Sequence, residues 1–213
     1  MERRPLKTRS RRSARSLARR LARAGVQPNH VSVLGVVFAL AAGGAFLALL
    51  NVGEAAQVVL LVAAAASIQL RLLCNMLDGL LAVEGGLASP VGDVWNDVPD
   101  RIADVVILAS AGYAVAWSWG EPLGWAAATA AVLTAYVRLL GGALGARQHF
   151  LGPMAKPQRM AVLTAASLLS LGEVAFSHFR GAFLAGALVI VLAGSLVTAA
   201  RRLSLVTREL AER

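Results

Sequence analysis

Two short groups of polar residues interrupt long apolar segments between residues 71 and 104. Asn75 and Asp78 lie in the first group, and Asn96, Asp97 and Asp100 lie in the second. Because a helix turns about 100° per residue, each group falls near one face of its helix. Two facing helices would therefore bring all five side chains to one point. Oxygen donors of this kind suit one or two ions of Mg²⁺ or Mn²⁺.

Both polar faces extend beyond these five residues. Arg71 precedes Asn75 by one helical turn, and Asp93 and Asp104 extend the second face at both ends. Gly85, Gly86 and Pro90 predict a tight turn between the two helices. Several buried carboxylates repel each other without cations, which favours a metal site. The alternative for the asparagines is a satisfied hydrogen-bond network between helices.

The rest of the chain predicts an all-α integral membrane protein with six transmembrane helices and an N-terminal amphipathic interfacial helix. Of the 213 residues 57% are hydrophobic and the mean hydropathy is +0.65, which is too apolar for a soluble domain. The single Cys74 excludes an internal disulfide. The predicted membrane segments are about 31–50, 55–83, 91–117, 123–145, 157–171 and 179–200. We divide the chain into a basic N-terminal region (1–30), a transmembrane domain (31–200) and a basic C-terminal tail (201–213).

The N-terminal region is strongly basic, within a chain of formal net charge +9. Residues 1–10 are expected to be a disordered tail, and Leu17 and Leu21 predict a helix over 10–24 that Gly25 ends. We expect this helix to lie at the membrane surface against anionic lipid, with a solvated basic helix as the alternative. Nucleic-acid binding is set aside because no recognition module accompanies the basic run.

Basic residues in the loops predict the orientation of the chain. Arg147, Lys156, Arg159 and both basic ends fall on one side, whereas Arg180 is the one basic residue expected in the opposite loops. The prediction is a multi-pass protein of the inner (cytoplasmic) membrane with both termini cytoplasmic. The polar groups at 75–78 and 96–100 then face the cytoplasm.

The stretch from 75 to 100 resembles the signature of the CDP-alcohol phosphatidyltransferase family. That signature is D-x-x-D-G-x-x-A-R, eight residues, then G-x-x-x-D-x-x-x-D. The residues at its fixed positions are Asn75, Asp78, Gly79, Ala82, Val83, Gly92, Asn96 and Asp100. The spacing is intact, but asparagine stands at two of the four acidic positions and Val83 replaces the arginine.

The resemblance implies a membrane enzyme of phospholipid biosynthesis. Such an enzyme transfers a phosphatidyl group from a CDP-linked lipid, such as CDP-diacylglycerol, to an alcohol acceptor and releases CMP. It implies that Asp100 is the catalytic base, that metal is held at the four acidic positions, and that the chain forms a homodimer. Asp97 could supply a further ligand, because only Asp78 and Asp100 of those four positions keep their charge.

The resemblance also suggests substrate contacts outside the metal ligands. Pro28, Asn29 and Ser32 would border the nucleotide site, with an ordinary helix start as the alternative. Gly79, Ala82 and Gly92 keep the helix surfaces low enough for a substrate to approach. Four basic residues would meet a phosphate of donor or acceptor: Arg138, Arg147, Lys156 and Arg159. For Arg147 and Lys156 the alternative is a loop charge that only sets orientation.

Two other functions fit parts of the sequence. A catalytically inactive lipid- or nucleotide-binding relative is favoured by the two asparagines and Val83. A small transporter with an acidic relay is disfavoured, because a relay needs no fixed glycine and alanine between its acids. Metal-dependent release of CMP would separate the enzyme from both.

Overall fold

The computed structural model describes residues 12–84, 86, 90–176 and 178–212, and within these ranges it is all-helical, as predicted. The predicted tail at 1–10 and Gly85 of the predicted turn lie outside the described residues. The helices are α1 (Arg12–Arg23), α2 (Pro28–Ala48), α3 (Glu54–Glu84), α4 (Pro90–Tyr113), α5 (Gly120–Ala143), α6 (Lys156–Phe176) and α7 (Ala182–Ala211), and a 3₁₀ turn (Leu49–Asn51) follows α2.

Five of these helices are long and apolar enough to cross a membrane, namely α2, α3, α5, α6 and α7. Helix α4 has 24 residues, which would suffice for a crossing, but Asp97, Asp100, Arg101 and Asp104 make its sequence more polar. These apolar helices indicate a membrane protein, and the sixth span through α4 stays a prediction.

The turn between α1 and α2 has a clear cause in the sequence. Gly25 adopts φ +79°, and the amides of Gly25 and Val26 donate to the carbonyls of Ala22 and Leu21, which is a Schellman motif. Pro28 then opens α2, at a position where its missing N–H is not needed. Helix α1 packs on α3, with Ala18 against Leu80. The location of α1 at the membrane surface stays a prediction.

The main apolar core lies between α2, α3, α4, α5, α6 and α7. Small residues let helices α4 and α5 approach closely. A Cβ added to Gly124 would lie 2.8 Å from the Cα of Gly112, and one added to Gly120 would lie 2.8 Å from the Gly112 carbonyl oxygen. Large apolar side chains such as Leu40 and Val59 are exposed on the outer surface, as expected for helices that face lipid.

Pro99 lies inside α4, one turn before Ala103. It cannot donate to the carbonyl four residues earlier, which frees one backbone acceptor in the polar half of the helix. The sequence predicted a kink or a helix start near this residue, and the described helix runs through it from Pro90.

Two helices extend further than predicted. Helix α6 continues to Phe176, because Glu173 is buried and accepts hydrogen bonds from the amides of Arg180 and Ala182 at the start of α7. Helix α7 continues to Ala211, so residues 201–211 are helix rather than a separate tail. Arg202 is buried there and donates to carbonyls of the chain before α6 and of α5.

Candidate active site

A small pocket opens between α2, α3 and α4. Helices α3 and α4 contribute polar side chains at helical spacing, and α2 contributes Ser32. The polar residues of its wall are Ser32, Arg71, Asn75, Asp78, Asn96 and Asp100, and small or apolar residues complete it. The predicted convergence of both signature halves is therefore seen, with Asp97 outside the wall.

Helix α2 joins the site through Ser32 and Pro28. The Ser32 hydroxyl donates to Asp78 Oδ2 at 2.8 Å, and the Pro28 carbonyl lies 3.3 Å from the same hydroxyl. Asn29 is half-buried in the same first turn. Asp78 is 4% exposed, and its Oδ1 has no hydrogen-bond partner among the described residues. One carboxylate oxygen therefore remains available in the pocket.

Asp100 has a different environment, because positive groups surround its carboxylate. The Lys156 ammonium, at the first residue of α6, forms an ion pair with Oδ1. Arg71 lies 3.5 Å from Oδ1 and donates to the Asp100 backbone carbonyl at 3.1 Å. The amide nitrogen of Asn75 lies 3.0 and 3.1 Å from the two carboxylate oxygens. Arg101 adds a more distant positive charge, 3.9 Å from Oδ2.

A buried ionic network supports the floor of the pocket. Asp104 is completely buried and accepts from Arg71 at 3.1 Å and from Arg159 at 2.6 Å. Arg159 also donates to the carbonyl of Met154 at 3.0 Å. The network joins α3, α4 and α6, and it places the Arg159 guanidinium inside the bundle rather than in the pocket. The sequence placed Asp104 on the polar face of α4 but not among the site residues, although an ionisable residue in an apolar segment is itself a signal.

Asp97 and Arg138 bind each other beside the site. The Arg138 guanidinium donates to the two oxygens of Asp97 at 2.9 and 3.1 Å and to Gln148 at 2.9 Å. It also lies over the ring of Phe150, 5.3 Å from its centroid. The two residues were predicted as a metal ligand and a phosphate contact, and the structure pairs them instead of directing either into the pocket.

The other predicted substrate contacts lie near the pocket or away from it. Gly79 follows Asp78, Ala82 lies a turn beyond Asp78, and Gly92 lies a turn before Asn96, but none of the three is part of the pocket wall. Arg147 is exposed, and its backbone amide donates to Glu209 of α7 at 3.0 Å.

The pocket offers few free ligands for a divalent cation. Asp78 has a carboxylate oxygen without a partner among the described residues, whereas the Asn96 carbonyl oxygen already accepts a long contact of 3.4 Å from the Asn75 amide. Mg²⁺ is commonly held by one or two carboxylates together with substrate phosphates. Among the residues that the structure describes, no group of three His, Cys, Asp or Glu side chains could hold a metal ion. Positive groups already neutralise Asp100, which leaves little attraction for a second ion.

Comparison with known proteins identifies the fold. No protein-family model and no curated protein matches the chain. The chain is similar to solved structures of phosphatidylinositol phosphate synthase (PgsA1) from Mycobacterium tuberculosis. Against the PgsA1 structure with CDP-DAG bound, the TM-score is 0.73 at 22% sequence identity, over 92% of this chain and 94% of PgsA1. Against the structure in complex with manganese and citrate, the TM-score is 0.73 at 23% identity, over 91% of this chain and 88% of PgsA1. Against the apo form, the TM-score is 0.71 at 22% identity, over 90% of this chain and 95% of PgsA1. The chain therefore has the fold of PgsA1.

Proposed function

We propose that the protein transfers a phosphatidyl group from a CDP-linked lipid, such as CDP-diacylglycerol, to an alcohol acceptor and releases CMP. The observation that carries this proposal is the pocket in which Asp78 and Asp100 meet Asn75, Asn96 and Ser32 from three helices. The pocket lies on the fold of PgsA1, one structure of which has CDP-DAG bound. The reaction would take place at the cytoplasmic face of the membrane, and the chain would act as a homodimer.

Asp100 is the proposed catalytic base. In the reaction the acceptor hydroxyl oxygen forms a bond to the lipid-linked phosphorus, the bond from that phosphorus to CMP breaks, and the hydroxyl proton passes to a carboxylate oxygen of Asp100. Asn75 and Lys156 hold this carboxylate in place. The divalent ion that Asp78 and Asn96 would hold supplies neutralisation of the diphosphate.

Other chain residues would bind the substrates without taking part in proton transfer. Ser32 holds Asp78, and with Pro28 and Asn29 it would border the nucleotide. Gly79, Ala82 and Gly92 would leave space for the donor beside the pocket. Arg147 is exposed and available to a phosphate, whereas Arg138 would first have to leave Asp97.

A second candidate is a catalytically inactive relative that binds a CDP-linked lipid without turnover. The specific observation in its favour is the environment of Asp100, since Lys156, Arg71 and Asn75 all contact the carboxylate that would have to accept the hydroxyl proton. This candidate keeps the fold and the pocket and differs only in the proton transfer.

The deciding experiment measures CMP. Purified full-length protein is incubated with CDP-diacylglycerol, a pool of alcohols (glycerol phosphate, inositol phosphate, inositol and serine) and Mg²⁺ or Mn²⁺. Transfer predicts metal-dependent CMP release together with a new phospholipid. Binding of CDP-diacylglycerol without CMP from any alcohol supports the inactive relative, and no binding contradicts both candidates.

Replacing the proposed base gives a sharper prediction. Asp100→Asn keeps the size of the side chain but cannot accept the hydroxyl proton, so CMP release should fall by about 10²–10⁴-fold. Arg208→Met, an exposed change on α7, is the control and should leave the rate near that of the parent. A parent that turns over at a rate unaffected by Asp100→Asn would contradict the assignment of the base.

A further inference from the structure

The electrostatic balance of the pocket differs from that of a site built to hold two metal ions. Three buried or nearly buried carboxylates lie close together, on Asp78, Asp100 and Asp104. Three positive side chains from α3 and α6 accompany them, namely Arg71, Lys156 and Arg159, and Arg101 of α4 lies 3.9 Å from Asp100 Oδ2. The negative charges are therefore compensated before any divalent ion binds. Additional ions would have to compete with positive groups that the fold itself supplies.

Asn75 contributes to this balance through the direction of its amide. An ionised carboxylate only accepts hydrogen bonds, so the group of Asn75 that faces Asp100 must be the NH₂. That NH₂ lies 3.0 and 3.1 Å from the two oxygens of Asp100. An aspartate at this position would face Asp100 with a second negative charge and would need a cation between them. The asparagine replaces this shared cation with a direct hydrogen bond.

Lys156 of α6 brings a positive charge to the same Asp100 carboxylate. It opens α6, its ammonium is buried, and its one ionic partner among the described residues is Asp100. Burying an ammonium is costly unless a carboxylate compensates it, so the position of Lys156 depends on the charge of Asp100. The unpartnered oxygen of Asp78, in contrast, has no such positive group bonded to it.

We propose that the Lys156 ammonium permanently takes the place of a second divalent cation at Asp100, so that the pocket binds a single Mg²⁺ or Mn²⁺ ion through Asp78. This inference rests on the proposed function for the identity of the ion, and it assigns Lys156 to the site as a built-in cation rather than as a phosphate contact. Asn75 is the matching change on α3, because it removes the charge that a second ion would need.

The test counts bound Mn²⁺ in the purified full-length protein by electron paramagnetic resonance of the free ion. The parent should bind one Mn²⁺ per chain, and Asp78→Asn should abolish this binding. The double variant Lys156→Met with Asn75→Asp removes the ammonium and restores a carboxylate, so it should bind two ions per chain. Arg201→Met, which removes an exposed cation on α7, serves as the control for loss of a positive charge outside the site and should still bind one.

Several outcomes overturn the inference. A parent that binds two ions or none contradicts it, and so does a double variant that folds and binds the same number as the parent. If the double variant does not fold, Asn75→Asp alone decides. With Lys156 in place it should still bind one ion, and two ions would contradict the role of Lys156. CMP release is measured separately, so one ion without CMP contradicts only the transferase, and two ions with CMP contradict only this inference.

Discussion

Asp104 is the most deeply buried charged residue beside the site, and its ion pairs hold the neighbouring arginines in place. It accepts from Arg71 at 3.1 Å and from Arg159 at 2.6 Å, and all three side chains are almost fully buried. Arg71 reaches from Asp104 to Asp100, so the position of the proposed base depends on this pair. The pocket is thus held by ionic contacts and not only by apolar packing.

Removing the charge of Asp104 should destabilise the protein strongly. Asp104→Asn leaves Arg71 and Arg159 buried without a compensating carboxylate, which typically costs about 3–5 kcal/mol. We expect a clearly lower midpoint of thermal unfolding in detergent, measured by tryptophan fluorescence. Glu121→Gln is the control, because Glu121 bonds the Tyr113 hydroxyl at an exposed site and should change the midpoint little. Equal midpoints for parent and Asp104→Asn would contradict the structural role of the network.

Asp97 shows where prediction from sequence reaches its limit. Helical spacing placed Asp97 near Asp100 correctly, because periodicity follows from the geometry of one helix. Its partner, Arg138, comes from α5, and periodicity says nothing about which side chain a distant helix brings to a given face. The same holds for Lys156, whose pairing with Asp100 no spacing within α4 could reveal.

Manganese titration of Asp97→Asn tests this pairing. Because Arg138 takes both oxygens of Asp97, we expect the variant to bind Mn²⁺ with the affinity of the parent, while Asp78→Asn binds it much more weakly. The measurement is the Mn²⁺ dissociation constant by calorimetry. A clear loss of affinity in Asp97→Asn would show that Asp97 leaves Arg138 and becomes a ligand.

At the scale of elements, the starts and ends of helices were predictable where the chain itself supplies a signal. Gly25 ends α1 as the sequence indicated, whereas α2 begins at Pro28, three residues before the predicted segment at 31–50. The ends of α6 and α7 could not be predicted, because buried polar residues near them bind partners in other segments. Glu173 accepts from the amides of Arg180 and Ala182, and Arg202 donates to the carbonyl of Leu151. From sequence alone, such a polar residue is interpreted as the end of the helix, because its buried partner lies in another segment.

The close contact between α4 and α5 gives a prediction at this scale. A Cβ at Gly124 would lie 2.8 Å from the Gly112 Cα and 2.9 Å from the carbonyl oxygens of Leu108 and Ala109. Gly124→Ala should therefore push the helices apart and cost about 1–3 kcal/mol. Gly186→Ala in α7 is the matched control, because nothing lies within 4 Å of its added Cβ. It should be neutral or slightly stabilising.

Thermal unfolding of the two variants in detergent gives the comparison. The expected order of midpoints is Gly124→Ala below the parent and Gly186→Ala at or above it. The same drop in both variants would mean that the loss does not come from the contact at Gly124, and the close α4–α5 approach would then be contradicted.

At the scale of the whole molecule, the two ends of the bundle differ in charge and in aromatic content. One end carries Trp117 stacked on Trp119, with Arg180 near the ring of Trp117. The loop before α6 meets the end of α7 at the other end, where His149 lies 3.1 Å from Glu209. An interfacial aromatic cluster at one end and most loop cations at the other are typical of a helical membrane protein.

This asymmetry predicts that both termini lie in the cytoplasm, and the six predicted spans from α2 to α7 would put the termini on the same side of the membrane. The chain is well suited to the test, since its one cysteine, Cys74, is buried and can be replaced by alanine. In that background Ser118→Cys, exposed before α5, should react with a membrane-impermeant maleimide added outside intact cells. Arg208→Cys, exposed near the end of α7, should react only after the membrane is permeabilised. Labelling of Arg208→Cys from outside would contradict the cytoplasmic C-terminus, as expected if α4 did not cross or if the whole bundle were inverted. Labelling of neither site before permeabilisation would contradict the placement of Ser118 outside the cell.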